Sequence, residues 1–192
     1  MTSITGLRGT AGEGWITWPV GSPSSVITEL TAVMEDDPEG VTSLTTLIDE
    51  CDKAGEGRGA LLAGLWVPGQ VLAQMWIGVI VEPTDEIYRS ARRYERIVTG
   101  RTDEGDATIY RQSVSSLFAG DTEAIMTVEN RAHGDEGEGY TLARIVYFPL
   151  STKDRVIIEA VTPEFVVFDE LEENVTQMAS HLIIESTEIE KD

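Results

Sequence analysis

The side chains best suited to chemistry in this sequence are one cysteine, Cys51, and two histidines, His133 and His181. A lone thiol can act as a nucleophile, but it needs an electropositive and partly exposed setting to form the thiolate. Cys51 instead follows three apolar residues at helical spacing, Leu44, Leu47 and Ile48. We therefore expect it to pack in the core, where a free cysteine behaves as a small hydrophobic side chain.

His133 opens an acidic, glycine-rich segment, residues 133–139, in which one imidazole and three carboxylates could converge on a metal ion. Glycines also supply the positive φ angles of tight turns, so a solvated hairpin turn is the favoured interpretation of this segment. His181 falls at the edge of the apolar stripe of the last predicted helix, beside Asn174 and Gln177. We expect it on the flank of that helix rather than in a cavity.

Several motifs of catalysis and cofactor binding are missing from the sequence. No glycine-rich loop ends in Lys-Ser or Lys-Thr, no Gly-x-Ser-x-Gly occurs, and no EF-hand calcium loop is present. Residues 55–59 contain three glycines and are expected to form a loop after the helix that begins at Asp37-Pro38. They lack dinucleotide-binding spacing and precede a predicted strand rather than a helix. The sequence therefore predicts no catalytic residue, no cofactor and no metal, and a protein that is not an enzyme.

The charge of the chain limits its partners, because 34 acidic against 14 basic side chains give a net charge of −20. Such a chain repels phosphate backbones and anionic membrane surfaces, so we expect neither nucleic acid nor membrane as a partner. A single cysteine and an N-terminus without a basic region followed by an apolar run predict a cytoplasmic protein. The preference for Arg over Lys is typical of a bacterium with a GC-rich genome.

The few basic residues are concentrated on one predicted helix, residues 84–98, which we expect Thr84 to cap. Its apolar positions share one side, and four arginines lie about 140° to 240° away at 100° per residue. These are Arg89, Arg92, Arg93 and Arg96. Pairing with nearby acids, such as Asp85 or the acidic last helix, would make this an ordinary solvated face. Without such pairing, the stripe would be a docking site for a protein partner, because the Arg fork suits carboxylates.

Aromatic residues on predicted strands offer a second function. Trp66, Trp76 and Tyr110 could line an apolar cup on a curved antiparallel sheet and bind a small molecule. The leading hypothesis is a non-enzymatic binding or adaptor protein that contacts another protein, and the apolar pocket is the alternative. The oligomeric state stays open.

The ends of the chain are predicted to lie outside the folded domain. Residues 1–13 are aperiodic and are expected to form a flexible arm, and residues 185–192 a charged tail that frays. Between them, residues 14–184 are expected to form one domain. The apolar segment 60–81 is interrupted by Pro68-Gly69-Gln70, which predicts a hairpin rather than a membrane-spanning helix.

Cap and turn signals predict the elements of this domain. Ser22-Pro23 and Asp37-Pro38 each begin a helix, although a strand through residues 23–35 remains possible. Asp169 and Glu172 form a capping box at the start of the last helix. Strands are predicted at residues 14–20, 60–67, 71–82, 107–117, 122–131, 139–149 and 155–162.

Consecutive strands on short loops pair antiparallel, because parallel strands need long crossovers. The order of elements therefore predicts an α+β fold with one antiparallel sheet of about six to seven strands, flanked by helices in an α/β/α sandwich.

In the C-terminal half, a strand at residues 155–161 runs through Thr162-Pro163 into the amphipathic helix of residues 168–182. This arrangement resembles the C-terminal half of the PsbP-like superfamily. Near the start, Trp15 and Trp18 beside Pro19 are similar to the first strand of that family. The resemblance implies an α/β/α sandwich and a non-catalytic role in binding or assembly, and it transfers no catalytic residue.

Overall fold

The computed structural model describes residues 2–8, 14–34, 37–66, 73–133, 139–163 and 168–188. In this part of the chain the predicted α+β fold is confirmed. The helices are α1 (Ser24–Val33), α2 (Pro38–Arg58), α3 (Ala91–Val98) and α4 (Phe168–Ser180), with a 3₁₀ helix, η1, at Glu86–Arg89. The strands are β1 (Thr2–Arg8), β2 (Trp15–Pro19), β3 (Leu62–Trp66), β4 (Ala73–Ile80), β5 (Asp103–Glu104), β6 (Ala107–Ala119), β7 (Thr122–His133), β8 (Gly139–Phe148), β9 (Arg155–Thr162) and β10 (Ile183–Glu188).

Eight strands form one antiparallel sheet in the order β2-β3-β4-β9-β8-β7-β6-β5. Strands β5 to β9 are neighbours in chain order because their connections are short. Strand β4 then pairs with β9, from Gln74 opposite Val161 to Ile80 opposite Arg155, which joins the first three strands of the sheet to this meander. The sheet has one strand more than the seven predicted. The additional strand is the two-residue β5.

Helices cover both faces of the sheet because the central strands are apolar on both sides. Along β7, Ala124 and Met126 pack against the core beneath α4, whereas Ile125 belongs to the cluster beneath α3. Helices α1 and α2 share the face of α3, where Ile48 packs against β3 and β4. The layers are therefore α/β/α, with α4 alone among the helices on its side of the sheet.

At residues 23–59 one helix prediction is confirmed and one boundary changes. Residues 24–33 form a helix and not a strand. The loop predicted at residues 55–59 is wrong, because α2 continues through Arg58 and ends at Gly59, whose φ is 65°. Gly55 faces the apolar cluster between α2 and the sheet, where an added Cβ would lie 2.9 Å from the Val20 side chain and 3.1 Å from the Trp76 ring. Glycine is required there by close packing and not by a turn.

The predicted arm and tail instead contain paired strands. Residues 2–8 form β1, which pairs antiparallel with β10 at residues 183–188. Ile4 and Ile184 pack against the core beneath α4, and the Ile4 amide donates to the Asp154 carboxylate at 3.1 Å. The pairing partners of β1 and β10 are at opposite ends of the chain, so the sequence around each strand does not show the pairing. For this reason the two ends were predicted to lie outside the folded domain. Residues 9–13 and 189–192 of those two segments, and residues 67–72, which contain the predicted Pro68-Gly69-Gln70 turn, lie outside the described residues.

The capping box predicted for the last helix is also wrong. Helix α4 begins at Phe168, so Asp169 lies inside the helix and not at its N-cap. Asp169 pairs with Arg111 at 2.6 Å, and Glu172 accepts a hydrogen bond from the Ser113 hydroxyl at 2.8 Å. These contacts join α4 to β6, and its apolar stripe packs on the sheet.

A buried carboxylate, Asp52 of α2, connects this helix to β2 and to the turn that follows it. Its Oδ1 accepts hydrogen bonds from the Trp18 indole nitrogen at 2.9 Å and from the Gly21 amide at 3.0 Å. Because Trp18 and Asp52 are both buried, water cannot replace these bonds at low cost.

We expect the substitution Asp52→Ala to lower the free energy of unfolding by about 2–3 kcal/mol, because two donors lose a charged acceptor. Urea unfolding followed by circular dichroism measures this change. Asp49→Ala is the matched control, since Asp49 is exposed one turn earlier on the same helix. Its effect should stay within about 0.5 kcal/mol, and equal losses in the two variants would contradict the role given to Asp52.

Candidate functional site

The segment predicted as one helix at residues 84–98 is two helices with a break between them. Ser90 has extended backbone angles, φ −158° and ψ 157°, and separates η1 from α3. The Asp85 carboxylate caps η1 through the Ile87 amide at 2.9 Å, and the Ser90 hydroxyl caps α3 through the Arg93 amide. The prediction of a continuous helix capped by Thr84 is therefore wrong.

The predicted apolar side of this segment holds α3 on the sheet. Ala91, Tyr94 and Val98 are buried against Phe148 and its neighbours, and the Tyr94 and Phe148 rings lie 6.0 Å apart. This packing turns the opposite side of α3 outward.

The structure brings the four predicted arginines together despite the break in the helix. They surround Ser90 and line an open surface cavity of about 410 Å³. We call this the arginine surface: Arg89, Arg92, Arg93 and Arg96.

The neutralising contacts that could have explained this arginine surface do not form. Asp85 caps η1 instead of pairing with Arg89, and the acidic helix α4 lies on the other face of the sheet. Within the described part of the chain, Glu86 pairs with Arg93, and the other three arginines have no ion-pair partner. Those three side chains are exposed.

A second group of charged residues was not predicted from the sequence. It lies on the α3 face of the sheet, toward the edge formed by β5, and its members alternate in sign through direct ion pairs. We call it the charge network: Arg101, Glu104, Glu129, Arg131, Arg144 and Glu159.

Glu129 is fully buried at one end of the charge network. Its carboxylate binds Arg131 and lies 3.2 Å from Arg101. It also accepts from the Gln112 amide, which donates to the Val98 carbonyl at the end of α3. The charge network therefore reaches the C-terminus of the helix that carries the arginine surface.

The arginines control the ionisation of the charge network. Burial raises the pKa of Glu104, but Arg144, Arg131 and Arg101 outweigh it and lower that pKa to about 2. The pKa of Glu129 is lowered as well, because burial is outweighed by Gln112 and Arg131. Burial opposes the charge on Arg144, yet Glu159 and Glu104 raise its pKa. These groups are held as ions and do not exchange protons near neutral pH.

The sequence does carry a signal for the charge network. Glu129 and Arg131 are two residues apart in a strand, and this spacing places both side chains on one face. Arg144 and Glu159 similarly interrupt apolar strands. Charged residues inside otherwise apolar strands indicate buried ion pairs, although their partners depend on strand register.

The three aromatic residues proposed for an apolar cup are not brought together. Trp66 is 3% exposed and stacks on Trp15 on the α4 face, whereas Trp76 is 5% exposed and packs on the α2 face. Tyr110 is 64% exposed at a register shift in β6. The cup therefore does not form, because Trp66 and Trp76 point to opposite sides of the sheet.

Trp76 does line a shallow groove of about 240 Å³ between the end of α2 and strand β9. The Arg58 guanidinium lies 4.3 Å from the Trp76 ring centre and 4.0 Å from the Glu159 carboxylate. This contact partly fills the groove with the protein's own side chain.

Cys51 is placed in the core as predicted. It is fully buried, and burial raises the pKa of its thiol to about 11. The Cys51 Sγ donates to the Gly64 carbonyl at 3.6 Å. A protonated, enclosed thiol is a poor nucleophile.

The two histidines lie at exposed positions. His133 stacks on Tyr140 with ring centres 5.4 Å apart and has Asp106 at 3.4 Å. The acidic segment after it, residues 134–138, lies outside the described residues. His181 follows α4 and lies 2.8 Å from the Gln177 carbonyl. Among the residues that the structure describes, no group of three or more His, Cys, Asp or Glu side chains could hold a metal ion.

Comparison with protein-family models found no matching family, and a search of the curated proteins found no match. The resemblance to the PsbP-like superfamily therefore stays a prediction. No helix in the described ranges is long and apolar enough to cross a membrane.

We expect Glu104→Gln to destabilise the protein at pH 6 and progressively less as the pH falls toward 3. The folded-state pKa of Glu104 is about 2, against an ordinary value of 4.5. Its stabilisation is therefore complete above about pH 4.5 and is lost as the pH falls toward 2. Urea unfolding of both proteins at several pH values measures the difference.

Glu123→Gln is the matched control, because Glu123 is exposed on β7 and has no ion pair in the described part of the chain. Its effect should be small at every pH. A destabilisation by Glu104→Gln that does not change between pH 6 and pH 3 would contradict the ion pairs assigned to Glu104.

Proposed function

We propose that the chain is a non-enzymatic binding protein of the bacterial cytoplasm that docks an acidic segment of a protein partner on its arginine surface. The observation that carries this proposal is that three of the four arginines there have no ion-pair partner among the described residues. Arg89, Arg92 and Arg96 are exposed around one cavity, without an ion pair in the part of the chain that the structure describes, although the whole chain carries a charge of −20.

The contrast with the other arginines supports a binding role. Arg101, Arg131 and Arg144 are each paired with glutamates on the sheet, and even the exposed Arg111 pairs with Asp169. A chain with 34 acidic residues has many possible partners for its arginines. Like-signed groups held close together repel each other, so a bound carboxylate-rich segment would stabilise the arginine surface.

The acidic remainder of the molecule restricts where such a partner can bind. The acidic side chains elsewhere on the molecule repel an acidic segment, and the arginine surface attracts it. Charge complementarity of this kind improves orientation and specificity more than affinity. At about 0.15 M salt the Debye length is about 8 Å, so the local arginines act more strongly than the distant net charge.

The state of the buried titratable groups supports a role without catalysis. Glu104 and Glu129 are held as ions by arginines, and Cys51 is buried with a raised pKa. A general acid or base needs a pKa near the working pH, and the pKa of each of these three groups is shifted away from neutral pH.

The test uses a fluorescein-labelled polyglutamate peptide as a defined acidic probe, with binding followed by fluorescence anisotropy. We expect salt-dependent binding that weakens about tenfold in Arg92→Glu and in Arg96→Glu, because each replaces an unpaired cation by a repelling carboxylate. Neither substitution removes an ion pair in the described structure, so the melting temperature should be retained.

Lys53→Glu is the control, because it changes the net charge equally at an exposed position on α2. It should bind the peptide as the wild type does. A loss equal to that of Arg92→Glu would show that only net charge matters, and absence of binding to the wild type would also contradict the proposal.

A further inference from the structure

A second cavity adjoins the arginine surface and shares Arg89 with it. It has a volume of about 440 Å³ and lies between η1, the end of β4 and the turn before β9. Its lining residues are Glu82, Pro83, Tyr88, Arg89, Lys153 and Arg155.

Arg155 distinguishes this cavity from an ordinary surface depression. Only 9% of the residue is exposed, and its guanidinium lies 5.1 Å from the Phe148 ring centre. It donates to main-chain carbonyls: Tyr88 at 3.0 Å, Arg89 at 3.3 Å, Thr152 at 3.3 Å and Asp154 at 2.9 Å. These bonds fix the guanidinium in position at the cavity wall.

The charge of Arg155 is not balanced by an ion pair. The described part of the chain places no carboxylate within ion-pair distance of it, whereas Arg101, Arg131 and Arg144 all bind glutamates. The nearest acid in sequence, Asp154, uses its two oxygens to accept from the amides of Ile4 and Glu82. The charge of Asp154 acts on Arg155 without direct contact between the two side chains. A buried cation without a contacting counter-ion is costly, so an anion in the cavity would stabilise it.

The other charges of the cavity add to this attraction. Arg89 and Lys153 contribute two more cations from η1 and from the turn before β9, and Glu82 contributes one carboxylate. Three cations and one anion leave a net charge of +2. A phosphomonoester carries about −2 at neutral pH and three acceptor oxygens, so it matches this site better than a single carboxylate does.

We propose that this cavity is a binding site for the phosphoryl group of a phosphomonoester. Its volume leaves room for an organic group beside the phosphoryl oxygens, and Pro83 and Tyr88 offer that group apolar surface. The phosphoryl group belongs either to a free small molecule or to a phosphorylated side chain of a docked segment. The site rests on Arg155 and Lys153, and it does not depend on the function proposed for the arginine surface.

Isothermal titration with phenyl phosphate tests the proposal, with sodium chloride at equal ionic strength as the reference. Lys153→Gln should weaken binding about tenfold, because it removes one charged donor. Lys53→Gln is the matched control, since it makes the same change on exposed α2 and should leave the affinity unchanged. Arg155→Lys should also weaken binding, with circular dichroism as the check that the fold is retained.

A phosphoserine flanked by glutamates, in a short peptide, distinguishes the two sources of the phosphoryl group. Tighter binding of this peptide than of phenyl phosphate supports a phosphorylated partner, and equal or weaker binding supports a free phosphomonoester. No heat of binding beyond the chloride reference would overturn the proposal. Equal losses in Lys153→Gln and Lys53→Gln would overturn it too, whatever the polyglutamate experiment shows.

Discussion

The burial of charge beneath α3 is the constraint on which this side of the molecule depends. Strands β7 and β8 carry Glu129, Arg131 and Arg144 on a face that a helix covers, and the partly exposed Glu159 of β9 lies beside Arg144. Separate ions could not be buried there at acceptable cost, whereas paired and hydrogen-bonded ions can. The antiparallel register supplies the pairing, since Arg144 lies opposite Glu159. Through Gln112, the same network also holds the end of α3, and with it the position of the arginine surface.

The arginines on the α3 face serve three physical purposes. Arg101, Arg131 and Arg144 balance the glutamates of the charge network. Arg155 binds carbonyls and holds η1 against β9. Arg89, Arg92 and Arg96 remain exposed around Ser90 and lack ion-pair partners among the described residues. Arg155 and the arginine surface adjoin through the two cavities that share Arg89. These unpaired positive charges of an acidic chain therefore lie together on one side of the α3 face. A negative partner or ligand would be directed there.

Patterns within a single element were sufficient for much of the fold. Turn residues between apolar segments predicted the strands of the meander, and helical spacing predicted α2 and the apolar stripe of α4. The grouping of four arginines also followed from helical spacing, and it survived the break at Ser90. Elements that depend on distant partners were missed or misread: β1 and β10 pair across almost the whole chain, and the supposed caps of α4 bind β6. The aromatic cup does not form. The sequence does not show whether side chains on two different strands lie on the same face of the sheet.

The sequence by itself determined the α+β class, the antiparallel meander, the buried cysteine and the position of the arginine-rich segment. All of these rest on local periodicity and composition, which act over a few residues. Only the tertiary structure decided which charges are neutralised. It paired Arg144 with Glu159, left Arg89 without its nearby acid and buried Arg155 among carbonyls. The physical reason is that an ion pair requires two side chains within about 4 Å, and strand register and helix packing set that distance, not separation along the chain.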